Sequence, residues 1–117
     1  VIIKLKSPQA ILLDAADTLD SRGWVQGEEM ESDDGAVCVI GALNVATYGH
    51  SERPECADRR NDHQVDRAML CLRSAIEWDG GQSLPEWNDR QDRKKLDVLA
   101  ALRKAAKSAP RTPVRGS

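Results

Sequence analysis

WVQGEEMESDDGAVCVIGAL, residues 24–43, is the stretch whose reading decides the fold class. Two β-compatible runs, Val25–Met30 and Ala36–Val39, flank Asp33-Asp34-Gly35. Asp-Gly is a strong hairpin signal, because glycine adopts φ > 0 with no Cβ to clash. These residues therefore predict a two-stranded hairpin. Such a pair is marginal alone and has to pack on something else. From Cys38 or Val39 the pattern changes. Gly41, Ala42 and Ala46 with Ile40, Leu43 and Val45 predict a well-buried helix that runs to Tyr48 and stops at Gly49. A glycine inside a helix costs about 1 kcal/mol relative to alanine, so Gly41 points to a close backbone neighbour.

Upstream, Ser7 is a good N-cap and Pro8 suits the first helical position, where no N–H is needed. Ile11, Leu12, Ala15, Ala16 and Leu19 recur at helical spacing and predict a helix from Pro8 to Arg22, with Asp14, Asp17 and Asp20 facing water. Taking Gly23 as an αL terminator puts Trp24 against Leu19, the apolar contact of a Schellman stop, and leaves Gln26 without a structural role. Residues 1–6 alternate weakly and suit an edge strand or arm.

Downstream, HSERPECADRRND (residues 50–62) is polar and broken by Pro54, a long surface loop. Val65, Ala68, Met69, Leu72, Ala75 and Ile76 form an amphipathic stripe, predicting a third helix from Asp62 as N-cap to Trp78, ahead of Gly80-Gly81. SLPEWND (residues 83–89) reads as a turn or one 3₁₀ turn. Leu96, Leu99, Leu102 and Ala106, supported by Val98 and Ala105, predict a fourth helix from Asp92 to Lys107, and SAPRTPVRGS (residues 108–117) a disordered basic tail. The expected fold is mainly α, α+β by strict count: a compact four-helix domain over residues 1–107 with a small β-hairpin between helices 1 and 2.

The 117 residues fit one hydrophobic core, and an apolar share of 40% with 31% charged residues is ordinary for a globular chain. No run approaches roughly 18 apolar residues, so no membrane span is expected, and VIIKLK is too short for a secretory signal. Three irregularly spaced cysteines do not form a disulfide framework, so a reducing cytoplasm is the expected location. The net charge of −2 hides a polarity: residues 1–89 carry 8 Lys/Arg against 17 Asp/Glu, and residues 90–117 carry 9 against 2. Such asymmetry steers partners, folds back on itself or favours self-association.

Few residues carry chemistry. Cys38 sits at a helix N-terminus, where the dipole can activate a thiol, yet it lies in the apolar run VCVI, where free cysteine behaves as a small hydrophobe. His50, His63, Cys56 and Cys71 match no zinc spacing. Glu28, Glu29, Glu31, Asp33 and Asp34 lack the D-x-D-x-D-G order of a calcium loop and read as a solvated hairpin, an acidic docking face or a mimic of nucleic-acid phosphate. Arg90, Arg93, Lys94, Lys95, Arg103 and Lys104 load the last helix and are the candidates for nucleic-acid contact, although no aromatic is interleaved for base stacking. With no phenylalanine and one tyrosine, the three tryptophans supply much of the bulk. Trp78 ends the third stripe, and Trp87 reads as a wedge whose successors Asn88 and Asp89 bond nearby backbone or recognise a ligand.

Gly23, Trp24, Gln26 and Gly27, then Gly35, Cys38, Gly41 and Ala42, then Trp87, Asn88 and Asp89 together form a pattern. It resembles a family of small uncharacterised actinobacterial and actinophage proteins with G-W-C-Q-G, G-x-x-C-x-x-G-A and W-N-D motifs. The resemblance covers residues 8–107, with Val25 where cysteine is frequent and Lys94 where threonine is frequent. It implies the origin and the fold and carries no activity.

Without a nucleotide loop, a metal set or a nucleophile–base pair, the leading expectation is a non-catalytic cytoplasmic interaction module that binds a protein partner, a host protein if the origin is a phage. The alternative is a small-molecule or enzymatic pocket built from Trp24, Gln26, Cys38, Trp87, Asn88 and Asp89. The third reading is nucleic-acid binding through the basic helix. No catalytic residue, cofactor or metal ligand is assigned.

Overall fold

Helix α1 (Pro8–Arg22) forms as its sequence dictates: Ser7 Oγ accepts the Ala10 N–H at 3.1 Å, Pro8 opens the helix, and Ile11, Leu12, Ala15, Ala16 and Leu19 are buried. The computed structural model describes residues 5–27, 30–56, 58–76 and 83–115. Within them the chain is mainly helical, α1 being followed by α2 (Val39–Tyr48), α3 (Arg59–Ala75), α4 (Leu84–Asn88) and α5 (Lys95–Ser108). No helix is long and apolar enough to cross a membrane.

α1 is the central element and packs on α5, α2 and α3. It runs antiparallel to α5: Gln9 Nε2 donates to the Ala106 carbonyl at 2.8 Å at one end, and Lys95 Nζ to the Asp20 carbonyl at 3.2 Å at the other. Between them lie Ile11, Leu12, Leu19, Val98 and Leu102, all fully buried, with Leu43, Val65 and Leu72 closing the core from α2 and α3. Each such side chain contributes about 1.5–3 kcal/mol of transfer free energy.

The hairpin expectation is corrected. A turn does form at Ser32–Gly35, with the Ser32 N–H bonded to the Ala36 carbonyl at 2.8 Å. No sheet follows among the described residues. Val37 makes isolated bridges to Trp24 on one side, parallel, and to Glu31 on the other, antiparallel. α2 begins two residues after Val37, too soon for a ladder to extend. Gly41, by contrast, behaves as its position implied: a Cβ there would stand 2.3 Å from the Met30 carbonyl oxygen, so only glycine lets this segment lie on α2.

Four expected helices become five among the described residues, because Ser83 Oγ accepts the Glu86 N–H at 3.2 Å and turns Leu84–Asn88 into a short α-helix. α3 starts a turn earlier than Asp62. Asp58 is its N-cap, accepting the Arg60 N–H at 2.8 Å, and the first turn is wholly polar, so apolar periodicity carries no trace of it. α3 ends at Ala75, and Trp78 and Gly80-Gly81 fall outside the described residues, as do residues 1–4 and Glu28-Glu29. α5 starts at Lys95, later than Asp92, where the Asp97 carboxylate takes the Lys94 N–H at 2.9 Å. Leu96, expected in the core stripe, is 74% exposed, and Val98 takes that place.

Beyond α5, Ala109 is buried and the Pro110 carbonyl accepts the Gln9 N–H at 3.0 Å. Gln64, buried in α3, then bonds both sides of the Val114 backbone: Nε2 donates to its carbonyl at 2.7 Å, and its N–H donates to Oε1 at 2.8 Å. Residues 109–115, expected as a disordered tail, thus carry specific hydrogen bonds to α1 and α3.

Candidate functional site

The segment after α1 and the end of α4 meet through one side chain. Asn88 is fully buried, and both ends of its amide are saturated. Oδ1 accepts from Trp24 Nε1 at 2.7 Å and from the Val39 N–H at 3.0 Å; Nδ2 donates to the Val25 carbonyl at 3.1 Å and to Asp89 Oδ1 at 3.0 Å. The Val39 N–H is one of the otherwise unpaired donors at the start of α2, so Asn88 helps to cap that helix from a distance.

Around this centre the neighbours repeat the theme. Gln26 Nε2 donates to the carbonyls of Asn88 at 3.0 Å and Arg90 at 2.8 Å, and the Gly27 N–H donates to Asp89 Oδ1 at 2.9 Å. Gln26 therefore has a structural role: it terminates α4 in trans. The Schellman expectation is corrected as well. Gly23 has φ 97° and ψ 163°, outside the αL region, and its extended exit directs the Trp24 indole N–H to Asn88. Trp87 is buried in the wedge position, with the Arg93 guanidinium 4.2 Å from its ring centroid and Arg93 Nε bonded to its carbonyl at 3.0 Å.

Beside this latch lies a cleft of about 270 Å³ lined by Gly27, Met30, Cys38, Ile40, Pro85, Asn88 and Asp89. Of the six residues singled out from the sequence, Cys38, Asn88 and Asp89 line the cleft, Trp24 and Gln26 bond to Asn88, and Trp87 is buried outside the lining. Met30, Ile40 and Pro85 were not foreseen as lining, because nothing local distinguishes them from ordinary apolar residues.

Cys38 is the N-cap of α2, its Sγ accepting the Gly41 N–H at 3.3 Å. Burial pushes the thiol above its ordinary range and outweighs the opposing backbone N–H groups of Gly41 and Ile40. The helix N-terminus thus yields a capping thiol rather than an activated one. The histidines lie elsewhere: His63 lines a cavity with Leu5 and Val114, and His50 a shallow one formed by residues 50–55. Among the described residues no group of three or more His, Cys, Asp or Glu could hold a metal ion.

Half of the basic candidates are engaged within the fold. Arg90 pairs with Asp92 at 3.0 Å, Lys95 with Asp20 at 3.6 Å, and Arg93 covers Trp87. Lys94 is exposed at the N-cap of α5, and Arg103 and Lys104 are exposed on its outer side. In the acidic cluster, Glu31 pairs with Arg22 at 2.5 Å, and Asp34 bonds Ser32 and the Ala36 N–H, which holds its carboxyl below the usual range.

Against known proteins, the model of a family of unknown function (DUF6197) matches residues 4–108. No curated protein and no solved structure matches the chain.

Proposed function

The chain belongs to this family of unknown function, and on that premise we propose that it is a small non-catalytic interaction module whose cleft beside the latch receives an apolar side chain of a protein partner. One observation carries this reading. The motif residues best suited to chemistry are occupied by one another: Asn88 has no free hydrogen-bonding capacity, and the Cys38 thiol is kept neutral by burial. What remains open is a shaped surface with apolar walls, Met30, Ile40 and Pro85, and an exposed carboxylate, Asp89, at its edge. Three free cysteines suit a reducing compartment, and a cytoplasmic partner follows from that.

Affinity capture from a lysate of the source organism tests the proposal, using the full chain and an Ile40→Arg variant of equal melting temperature. A stoichiometric protein retained by the first and lost by the second supports it. If no protein is retained and a small molecule raises the melting temperature instead, the cleft is a ligand site and the proposal fails. Nucleic-acid binding through Lys94, Arg103 and Lys104 is the weaker reading, and a low-salt gel shift with no retarded band ends it.

A further inference from the structure

A second cavity, of about 460 Å³, lies where the start of α3 meets the C-terminal segment. We propose that it binds a phosphate monoester carried on a small apolar body, the non-bridging phosphate oxygens facing Arg59 and Arg115 and the body resting on Leu5, Pro113 and Val114. This site shares no residue with the cleft above and does not depend on that reading.

Charge counting selects a dianion. Three arginines line the cavity, but Arg60 already grips Asp58 through Nε at 3.2 Å and Nη2 at 2.8 Å. Arg59 and Arg115 have no ion pair among the described residues. Two unpaired guanidiniums match the roughly two negative charges of a phosphate monoester near neutral pH, and guanidinium geometry suits its oxygens in pairs. A carboxylate brings one charge and two oxygens and would leave one of the two arginines unanswered.

His63 lines the wall, but its Nε2 is closed off from solvent, so the anion contacts fall to the two arginines. Asp58 caps α3 and would repel an anion at the helix end, so the site is built from side chains rather than from the helix terminus.

Gln64 is 1% exposed, yet both ends of its amide go to the backbone of Val114 rather than to the core. That arrangement fixes the residue next to Arg115 and holds the guanidinium-bearing segment over the first turns of α3. The cavity volume falls within the roughly 300–1,000 Å³ usual for small-molecule sites.

Calorimetric titration of the full chain with phenyl phosphate is the test, with inorganic phosphate and benzyl alcohol as the charge-only and body-only probes. Saturable 1:1 binding of phenyl phosphate, tighter than either probe, is expected. Arg59→Gln and Arg115→Gln should each weaken it about tenfold, the loss of one charge-assisted contact. Arg103→Gln should leave it unchanged. Gln64→Leu keeps every charge, so weaker binding by a folded Gln64→Leu chain shows that the Gln64–Val114 hydrogen bonds position Arg115. A phosphotyrosyl peptide separates the sources: tighter binding than phenyl phosphate marks a protein-borne ester, weaker binding a free one. Phenyl phosphate binding no tighter than inorganic phosphate, or Arg59→Gln and Arg115→Gln matching Arg103→Gln, overturns the proposal.

Discussion

The indole N–H of Trp24 donates to the amide oxygen of Asn88 at 2.7 Å, across 64 positions of the chain. That oxygen also receives the Val39 N–H, so the exit of α1, the start of α2 and the end of α4 share one acceptor. Asn88→Ala strands the Trp24 and Val39 donors and the Val25 carbonyl. At about 1–3 kcal/mol for each buried group left unpaired, with some relaxation, a loss of about 3–5 kcal/mol is expected. A urea unfolding curve measures it as a lower midpoint at unchanged slope. A loss below about 1 kcal/mol would show that water replaces the amide at little cost.

Gly41→Ala separates local propensity from packing. Propensity alone makes alanine better by about 1 kcal/mol inside a helix. The new Cβ would stand 2.3 Å from the Met30 carbonyl oxygen, so the segment carrying Met30 must move off α2. Net destabilisation of about 1–3 kcal/mol is expected, as for other overpacked sites. A rise in melting temperature would refute the close approach.

Gln26→Ala removes two hydrogen bonds that close the end of α4. The side chain is exposed and water can take its place at the carbonyls, so the expected loss is about 1 kcal/mol. The readout is the difference from Asn88→Ala: equal losses would mean that the exposed and the buried amide carry the latch alike.

These positions show where the sequence is readable. α1 and α2 carry their own punctuation, Ser7-Pro8 at one start and Gly49 with φ 83° at one end, so their bounds follow from local chemistry. Asp58 is equally good as a cap, but the polar turn after it gives no periodicity to anchor it, and α3 is read one turn short. The hairpin fails for a tertiary reason: Val37 is claimed from both sides by single bridges and α2 begins before a ladder can grow. The motif residues are visible as unusual types, Trp, Gln and Asn among glycines. Their mutual bonding is not, because nothing local encodes a partner more than 60 positions away. The same holds for Gln64 and Val114, 50 positions apart.

The thiols of Cys38 and Cys71, one buried and one half-buried, set an alkaline limit. Burial raises Cys38 and Cys71 above the ordinary 9.0, so as pH climbs the unfolded chain releases these protons first and the folded state holds more of them. Stability is then intact below about pH 9 and falls as pH rises towards the folded-state values. The Tyr48 phenol, raised by burial and by its bond to Asp62, extends the fall further up. Melting curves between about pH 7 and 10.5 should show a plateau and then a decline, shallower in a Cys38→Ala/Cys71→Ala variant. Alkylation should reach exposed Cys56 well before Cys38. Equal rates would contradict the burial.

Deleting residues 112–117 tests whether the C-terminal segment belongs to the folded unit. Among the described residues the truncation removes no core side chain, since Ala109 is the last buried hydrophobic residue there. It leaves the buried Gln64 amide without the two Val114 bonds, one through each end. About 1–3 kcal/mol should be lost if both ends stay dry. Gln64→Leu in the truncated chain should recover most of it, because an apolar side chain at that site has no bond to miss. In the full-length chain the same substitution should destabilise by about 1 kcal/mol or more, because the Val114 backbone then lacks its partner. The opposite signs in the two backgrounds are the diagnostic. If Gln64→Leu has one sign in both, the segment does not depend on Gln64, and the hydrogen bonds to Val114 contribute nothing to its placement.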